Sequence, residues 1–250
     1  MNVKLVSIIL PTFNEKDNII SLIKTLEKEV KFKNEIIVVD DSSPDGTSDE
    51  VNKYIKRNNK RSIKVILRKK NRGLTNSLKD GIKASKGDTV AWMDADFSMP
   101  PKILNLLIKK TEEGFDIAVG SRFIKGGKIK KAGKKDSLAA IVLSRLMNFT
   151  IQFLLGRHFR DYTSGFVAAK REVFNKITLR GDYGEYFIDF IYKAFIFKFT
   201  VIELPYVCLP RRKGESKTGS NLWQYSKRGI KYIFLTFRLL YERYILKKFP

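Results

Sequence analysis

The sequence contains very little cysteine and histidine. Cys208 is the single cysteine among 250 residues, so no internal disulfide can form, and the chain suits a reducing compartment. Because Cys208 lies in an apolar stretch, we expect it to pack in the fold and not to act in catalysis. His158, the single histidine, lies close to Arg157 and Arg160, and we expect it at the surface.

Long uncharged apolar runs are also absent. No tract reaches the ~18 residues that a membrane-spanning helix needs, although 43% of the residues are hydrophobic. Residues 1–5 lead directly into a strand-like segment and lack the layout of a signal peptide. We therefore expect a cytoplasmic protein with one full core. The sequence contains no internal repeat and no low-complexity segment.

Acidic residues are scarce relative to basic ones: 26 Asp and Glu against 49 Lys and Arg give a net charge of +23. The excess is concentrated at residues 122–136, with seven basic residues against one acid, and at 211–250, with eleven against two. Such a field favours nucleic acid, anionic membrane or phosphorylated substrates, although a lysine-rich proteome would give the same bias. The sequence has no RNA-binding aromatic motif, zinc-ligand spacing or helix-turn-helix pattern, which disfavours a nucleic-acid-binding module.

Strand-like and helix-like segments alternate through the first half of the chain. Apolar runs predict strands over 3–10, 35–39, 63–67, 89–93 and 116–119. Helical periodicity predicts helices over 17–30, 47–58, 74–85 and 101–113, the second of them capped by Thr47 or Ser48. This alternation predicts an α/β fold with a mostly parallel central sheet and helices on both faces.

Charged side chains follow the predicted strands, at the edge of a parallel sheet where ligands bind. Asp40 and Asp41 follow the second strand, Asp94 and Asp96 the fourth, and Arg122 the fifth. Asp94 and Asp96 lie two residues apart, so in an extended chain both carboxylates point the same way and repel each other. A hard divalent cation such as Mg²⁺ or Mn²⁺ removes that repulsion and commonly takes one or two carboxylates plus substrate phosphates. The pair therefore predicts a metal-held phosphate compound.

Two segments of the second half are amphipathic. Residues 138–155 carry a polar stripe that includes Ser144, Asn148 and Gln152, and residues 222–246 place charged side chains on one face and aromatic and aliphatic ones on the other. Helices of the second kind lie in membrane interfaces, and anionic lipid contributes ~1 kcal/mol for each Lys or Arg near its surface. Packing on the protein's own domain is the alternative for both segments. A membrane-anchoring partner protein is a further way to reach the bilayer.

Six sequence blocks carry a resemblance to a known family. They span residues 8–15, 38–47, 93–96, 120–123, 161–166 and 211–217. With these blocks in this order, the chain resembles the family 2 glycosyltransferases, which have the GT-A (Rossmann-like) fold. Within that family it is most similar to the dolichyl-phosphate mannose synthases and related polyprenyl-phosphate sugar synthases. We expect a catalytic domain over 1–220, with 137–156 as an inserted amphipathic helix, and a C-terminal basic amphipathic helix over 221–250.

The resemblance also implies roles for individual residues of the nucleotide and metal sites. The residues that it assigns to the nucleotide pocket are Pro11, Phe13, Glu15, Val39, Asp40, Asp41 and Ala95. In that pocket the Asp40 carboxylate would accept a hydrogen bond from a base N–H. A Mg²⁺ or Mn²⁺ ion would be held by Asp94 and Asp96. Ser98 joins the metal site at a position where the family often has glutamine, although a serine hydroxyl reaches less far.

The cations implied for catalysis are Arg122, Arg211 and Lys217, which act together with Asp94 and Asp96. They would neutralise the diphosphate or the acceptor phosphate, the last two from a mobile loop whose glycines, Gly214 and Gly219, let it bend. The sequence leaves the roles of three acids open. Asp161 is either a turn cap or a site residue. Asp189 is either an acceptor-side acid, a role that fits Glu185 less well, or a solvated helix residue.

The implied reaction is the inverting transfer of mannose from GDP-mannose to dolichyl (polyprenyl) phosphate at the cytoplasmic membrane face. The lipid phosphate would attack the anomeric carbon from the side opposite the leaving group. Because a phosphate monoester has a second pKa of ~6, it is already anionic near pH 7 and needs less help from a general base. A UDP-sugar donor such as UDP-glucose, with polyprenyl phosphate, a glycan or a small lipid as acceptor, is the alternative.

Overall fold

The computed structural model describes residues 3–130, 138–214 and 222–248. Their strands are β1 (Val6–Thr12), β2 (Asn34–Asp40), β3 (Ile63–Leu67), β4 (Thr89–Trp92), β5 (Ile117–Ser121), β6 (Lys128–Ile129), β7 (Val167–Lys170), β8 (Val201–Pro205) and β9 (Val207–Cys208). Their helices are α1 (Lys16–Glu29), α2 (Thr47–Asn58), α3 (Leu74–Ala84), α4 (Pro101–Glu112), α5 (Leu138–Leu155), α6 (Val173–Lys176), α7 (Glu185–Ile196) and α8 (Leu222–Tyr244).

A seven-stranded sheet runs through the molecule in the order β3-β2-β1-β4-β7-β5-β8. β7 is antiparallel to its neighbours β4 and β5, and the other neighbouring pairs are parallel. In register, Ile8 of β1 lies between Ile36 of β2 and Ala91 of β4. The predicted α/β fold with a mostly parallel sheet is therefore confirmed. β6 and β9 form a separate two-stranded ribbon.

Hydrophobic side chains cover both faces of the sheet, which is why its parallel strands are continuous apolar runs in the sequence. On one face Ile8 and Leu10 join the cluster that contains α1 and α4, and on the other Ile9 joins the cluster with α3 and α7. A Cβ added at Gly81 would lie 2.5 Å from Cγ2 of Ile9. Since only glycine allows this approach, α3 is held tightly against β1, and its N-terminal residues reach the cavity described below.

Pro11 was expected to end the first strand, but β1 continues through it to Thr12. Pro11 pairs with Val39 on the β2 side. On the other side, the pairing with β4 stops two residues earlier, at Ile9 and Trp92. A proline is tolerated here because β1 has become an edge strand on that side, where no partner needs the missing N–H.

The start of α2 corrects the predicted cap. Thr47 and Ser48 lie inside the helix, and the residue before it is Gly46, in the left-handed region at φ 82°. Asp45 takes the capping role, since its Oδ1 accepts the backbone N–H of Thr47 at 2.9 Å. A carboxylate at the positive end of a helix is favourable on the same electrostatic grounds as a hydroxyl cap.

α7 was not predicted from the sequence. Nearly all of its residues are buried, including Tyr186, Phe187, Phe190 and Ile191. Its charged residues, Glu185, Asp189 and Lys193, lie on one side at helical spacing, but that side is buried too, so the helix lacks the solvent-exposed polar face of an amphipathic surface helix. α7 lies under the sheet and supports Trp92, whose indole N–H donates to the Tyr186 hydroxyl at 3.0 Å.

α5 directs its polar stripe inward. Asn148 and Gln152 are buried. The Asn148 Oδ1 accepts the Tyr162 N–H at 2.9 Å, and the Gln152 amide donates to the Arg160 carbonyl at 2.8 Å. The outward residues are apolar and between 56% and 66% exposed: Val142, Leu146, Phe149 and Phe153. This helix therefore carries apolar side chains on two sides, since Ile151 and Leu155 join the core cluster while the outer row faces away from it.

α8 packs against both α5 and α7. Leu239 is fully buried in the core cluster, so one side of the helix packs on the core beside the sheet. The other side exposes Ile230, Phe234, Phe237 and Tyr241 by 53–71%. Among the residues that the structure describes, no helix combines the length and apolar composition that crossing a membrane requires.

Candidate active site

A cavity of about 820 Å³ opens at the carboxyl ends of β1, β2, β4 and β5. Its wall comprises Pro11, Thr12, Phe13, Glu15, Asp41, Arg72, Gly73, Leu74, Ser77, Asp94, Ala95, Asp96, Ser98, Arg122, Asp182, Tyr183, Cys208, Pro210, Arg211 and Gly214. This is the sheet edge at which the strand ends predicted a ligand. Acids and arginines face each other across the cavity, so it suits a ligand that carries phosphate and is bound with a cation.

Asp94 and Asp96 follow β4 on a tight turn. The turn is made by Phe97, whose φ of 68° lies in the left-handed region, and it lets the Asp96 Oδ1 accept the Ser98 N–H at 2.9 Å. Asp96 is buried, whereas the side chain of Asp94 is exposed to the cavity. Desolvation by the surrounding protein and, after it, the neighbouring Asp96 carboxylate raise the pKa of Asp94 to about 7.

This acid pair fits a hard divalent cation. Both side chains offer oxygen ligands, and the pKa of Asp94 is raised first by desolvation and then by repulsion from Asp96, both of which a bound cation would offset. In the described ranges no group of three or more His, Cys, Asp or Glu side chains has the arrangement of a metal site. An ion held by these two residues would therefore complete its coordination with substrate phosphates and water, as Mg²⁺ commonly does.

Arg211 already places a positive charge in this acid cluster. Its Nη1 donates to Oε1 of Glu15 at 2.8 Å, and its Nη2 lies 3.1 Å from Oδ2 of Asp96. Burial disfavours the charged guanidinium, but the two carboxylates outweigh it and raise the pKa of Arg211 above its ordinary value. The acid cluster thus already binds one positive charge, the guanidinium of Arg211, and this is a second indication that it suits a divalent cation.

Arg122 is held in the cavity wall by Asp161. Asp161 is fully buried, and its carboxylate accepts the backbone N–H of Arg122 at 2.9 Å, the Nε at 2.8 Å and the Nη2 at 2.7 Å. The Nη2 also donates to Thr163 Oγ1 at 2.9 Å. Burial disfavours the charge of Arg122, but Asp161 outweighs that effect and raises its pKa. The guanidinium is therefore fixed in place and permanently charged.

The two acids after β2 have different environments. Asp40 is fully buried behind the cavity wall. Its oxygens accept the Thr12 hydroxyl at 2.9 Å and the Ser43 N–H at 2.9 Å. Asp41 lines the cavity, and its carboxylate accepts the Gly73 N–H at 2.7 Å. The assignment of Asp40 as the acceptor for a base N–H stays a prediction, and in this structure Asp41 is the acid of the pair that lines the cavity wall.

Comparison with known proteins identifies the family. Residues 7–178 match the family described as Glycosyl transferase family 2. The chain belongs to glycosyl transferase family 2. It is 35% identical over 225 residues to a dolichol-phosphate mannosyltransferase of Pyrococcus furiosus, a match that covers 88% of this chain and 61% of that one. It is 33% identical over 222 residues to a polyprenol monophosphomannose synthase of Mycolicibacterium smegmatis, covering 86% of this chain and 82% of the other.

This glycosyltransferase also resembles solved structures. Glucosyl-3-phosphoglycerate synthase from Mycobacterium tuberculosis, in complex with Mn²⁺, UDP and glucosyl-3-phosphoglycerate, superposes with a TM-score of 0.65 at 19% identity. The superposition covers 93% of this chain and 80% of the other. At that identity the likeness shows the fold, and the expected GT-A-like architecture is confirmed. The chain spans about three fifths of the length of the Pyrococcus relative.

Most of the residues predicted for the nucleotide and metal sites of this glycosyltransferase meet at the cavity. Besides the acids and arginines above, Pro11, Phe13, Ala95 and Ser98 line its wall. Val39 does not, because it is fully buried inside β2. Lys217 and Gly219 lie outside the described residues. The roles of the cavity residues stay predictions, but their convergence from five separate parts of the chain follows from the sheet topology.

The two candidate acceptor-side acids lie elsewhere. Asp189 is fully buried on α7, with Lys193 at 2.7 Å and Arg180 at 2.9 Å. Glu185 is also buried and accepts the Asp182 N–H at 3.1 Å. Neither acid lines the cavity wall. Asp189 is thus neither a solvated helix residue nor a wall residue, and it belongs to an ion-pair cluster beneath α8.

Sequence reasoning missed one side of the cavity. The segment after β3 contributes Arg72, Gly73, Leu74 and Ser77, and the same strand-end rule, applied to β3, would have pointed to it. Asp182 and Tyr183 also line the wall. They were missed because they directly precede α7, a helix that was not predicted from the sequence.

The single cysteine and the single histidine lie close to where they were expected. Cys208 packs against the apolar cluster as expected and also lines the cavity. Burial raises the pKa of its thiol, which stays protonated. His158 is exposed, as expected.

Proposed function

We propose that this glycosyltransferase moves mannose from GDP-mannose to a polyprenyl phosphate such as dolichyl phosphate, with inversion at the anomeric carbon. The observation that carries the proposal is the cavity in which Asp94 and Asp96 face Arg122 and Arg211. The curated relatives support the sugar and the acceptor class, since one is named as a dolichol-phosphate mannosyltransferase and the other as a polyprenol monophosphomannose synthase.

Asp94 and Asp96 would hold the Mg²⁺ or Mn²⁺ ion of this reaction. When bound, the ion would supply positive charge to the leaving diphosphate. Arg122 adds a guanidinium whose position is fixed by Asp161, and charge that is fixed before the reaction needs no reorganisation during it. In keeping with this, the Mycobacterium tuberculosis enzyme was solved with UDP and either Mn²⁺ or Mg²⁺.

A phosphate acceptor, the class that the names of the curated relatives imply, has little need of a general base. A phosphate oxygen of the acceptor attacks the anomeric carbon, the bond from that carbon to the diphosphate breaks on the opposite side, and GDP leaves. The attacking phosphate is already anionic near neutral pH, so no proton has to be removed from it. Glu185 and Asp189 both lie away from the cavity wall, so neither is placed to serve as the general base that an alcohol acceptor would need and a phosphate acceptor would not.

Calorimetric titration of the donor tests the proposal. We expect GDP-mannose to bind at least about tenfold more tightly with Mn²⁺ than without it, because the ion links the acid pair to the diphosphate and such couplings are typically 5–150-fold. UDP-glucose, titrated under the same conditions, should bind more weakly. Transfer of radiolabelled mannose to dolichyl phosphate then checks the acceptor.

Preferential binding of UDP-glucose would overturn the proposal that GDP-mannose is the donor and would favour the UDP-sugar alternative. Binding of either nucleotide sugar without any response to Mn²⁺ or Mg²⁺ would contradict the role given to Asp94 and Asp96.

We also propose that a membrane surface binds the face formed by α5 and α8. We call this face the α5–α8 surface and define it by its exposed apolar residues: Val142, Leu146, Phe149, Phe153, Ile230, Phe234, Phe237 and Tyr241. Contiguous apolar side chains of this extent mark an interaction site. Exposed basic residues accompany them, among them Arg145, Arg157 and Lys231. Apolar and basic side chains together suit the interface of an anionic bilayer.

Vesicle sedimentation tests the α5–α8 surface. Replacing Phe153 and Phe234 together by serine should weaken binding to anionic vesicles at least about tenfold, because full burial of each phenylalanine contributes about 1.5–3 kcal/mol. The matched control replaces Leu67 and Leu106, each 48% exposed on other parts of the surface, by serine and should bind normally. Rising salt should weaken binding of the parent protein. Absence of vesicle binding at every salt concentration would favour a membrane-anchoring partner protein instead.

A further inference from the structure

The guanidinium of Arg211 occupies a position inside the acid cluster of the cavity. It bridges Glu15 Oε1 at 2.8 Å and Asp96 Oδ2 at 3.1 Å. The three side chains are largely withdrawn from solvent, at 18% exposure for Arg211, 4% for Glu15 and 11% for Asp96. An ion pair this sheltered is screened far less by salt than a surface pair, so it competes with other cations.

Both oxygens of Asp96 are engaged in this arrangement. Oδ1 accepts the Ser98 N–H at 2.9 Å, a bond made within the turn itself. Oδ2 faces the Arg211 guanidinium. A divalent ion bound through Oδ2 would meet the guanidinium of Arg211 on the same oxygen, and the two cations would repel each other at short range.

The backbone around Arg211 is anchored independently of its side chain. Leu209 N–H donates to the Ser98 carbonyl at 2.9 Å, and Arg212 N–H donates to the Asp96 carbonyl at 3.0 Å. On the other side, the Asn18 amide donates to the Lys213 carbonyl at 3.1 Å. Because these bonds hold residues 209–213 beside the cavity, the Arg211 side chain can leave Asp96 and still remain among the groups that line the wall.

We propose that Arg211 is an internal cation that occupies Asp96 in the free enzyme and is displaced toward the substrate diphosphate when a divalent ion binds. This inference rests on the proposed function, since it takes Asp94 and Asp96 as the metal ligands. Arg211 then has two opposite effects on the affinity for the metal. Without nucleotide it competes for Asp96 and weakens metal binding. With nucleotide it gains a new anionic partner and strengthens the ternary complex.

The consequence is positive coupling between metal and nucleotide. A coupling of this kind is reciprocal, so each ligand raises the affinity for the other by the same factor. Arg211 supplies part of that factor, because the exchange of its carboxylate partner for a phosphate partner takes place only when both ligands are present. A residue that acted only through its net charge would weaken metal binding in both states.

Calorimetric titration of Mn²⁺, with and without saturating GDP, tests this inference. In R211Q we expect Mn²⁺ alone to bind about tenfold more tightly than in the parent protein, within the usual range of such couplings. With GDP present we expect the same variant to bind Mn²⁺ more weakly than the parent. The matched control is R212Q. Its guanidinium lies 5.0 Å from the centre of the Phe97 ring, so it removes one charge from the same segment, and both affinities should stay close to those of the parent.

The outcomes separate the two proposals. The role of Arg211 would be overturned if R211Q and the parent bound Mn²⁺ with equal affinity, or if the affinity rose equally in R211Q and R212Q. Either outcome would leave the proposed metal site unaffected. A higher Mn²⁺ affinity of R211Q both with and without GDP would mean that Arg211 only repels the metal, and it would also overturn the proposed role. Absence of Mn²⁺ binding in the parent and in R211Q, even with GDP, would overturn the metal site itself.

Discussion

Asp96→Asn is expected to lower the rate of mannosyl transfer by about 10³-fold or more, since a bound metal contributes several kcal/mol of charge stabilisation and each 1.36 kcal/mol is tenfold in rate. The amide has the shape of the carboxylate, and its oxygen still accepts the Ser98 N–H. It lacks the negative charge that would hold the ion. The loss should therefore fall on turnover and on Mn²⁺ affinity, and the fold should stay intact.

The measurement pairs transfer kinetics with a thermal unfolding curve. Glu172→Gln is the matched control, because it makes the same change of carboxylate to amide at a side chain that is 64% exposed and outside the cavity wall. It should leave the rate unchanged. A variant at Asp96 with near-normal turnover, or one that has lost its cooperative unfolding transition, would refute the assignment of Asp96 to the metal.

The acid pair could be predicted from the sequence because its geometry depends only on neighbouring residues. Two carboxylates at i and i+2 after an apolar run need only a strand end to become neighbours, and β4 provides it at Trp92. Asp40 and Asp41 follow the same rule, but the rule could not tell them apart. Which of two adjacent acids faces a cavity depends on the turn after the strand, and here Ser43 and Thr12 draw Asp40 inward.

The partner of Arg122 was beyond the reach of sequence reasoning. Asp161 is 39 residues away along the chain, and the two meet because β7 inserts antiparallel between β4 and β5. That insertion breaks the regular alternation from which the sheet was predicted. Apolar patterning identifies strands, but it does not state their order or direction, so a contact created by an inserted strand becomes visible only in three dimensions.

Three arginines near the acids of the cavity are each held by a carboxylate. Arg122 pairs with Asp161, Arg211 with Glu15 and Asp96, and Arg68 with Asp41. The pair with Asp161 fixes the guanidinium of Arg122 before any substrate arrives, which is the preorganisation that electrostatic catalysis requires.

Asp161→Ala is expected to destabilise the protein by about 3 kcal/mol, because it leaves the Arg122 charge in the wall without a partner and such losses are typically 3–5 kcal/mol. The lower end applies since Arg122, at 15% exposure, retains access to water in the cavity. Transfer should slow as well, because the guanidinium loses its two hydrogen bonds to Asp161 and the backbone N–H of Arg122 loses a third. Mn²⁺ affinity should change little, since Asp94 and Asp96 are untouched.

Urea unfolding, transfer kinetics and Mn²⁺ titration distinguish these effects. Glu172→Ala serves as the exposed control and should unfold at the midpoint of the parent protein. The decisive comparison is the double variant Asp161→Leu with Arg122→Met. Replacing a buried pair by apolar side chains of similar volume is often neutral for stability, so this variant should regain much of the lost stability while remaining slow in transfer. If it recovered activity together with stability, Arg122 would have no part in the reaction and Asp161 would serve the fold alone.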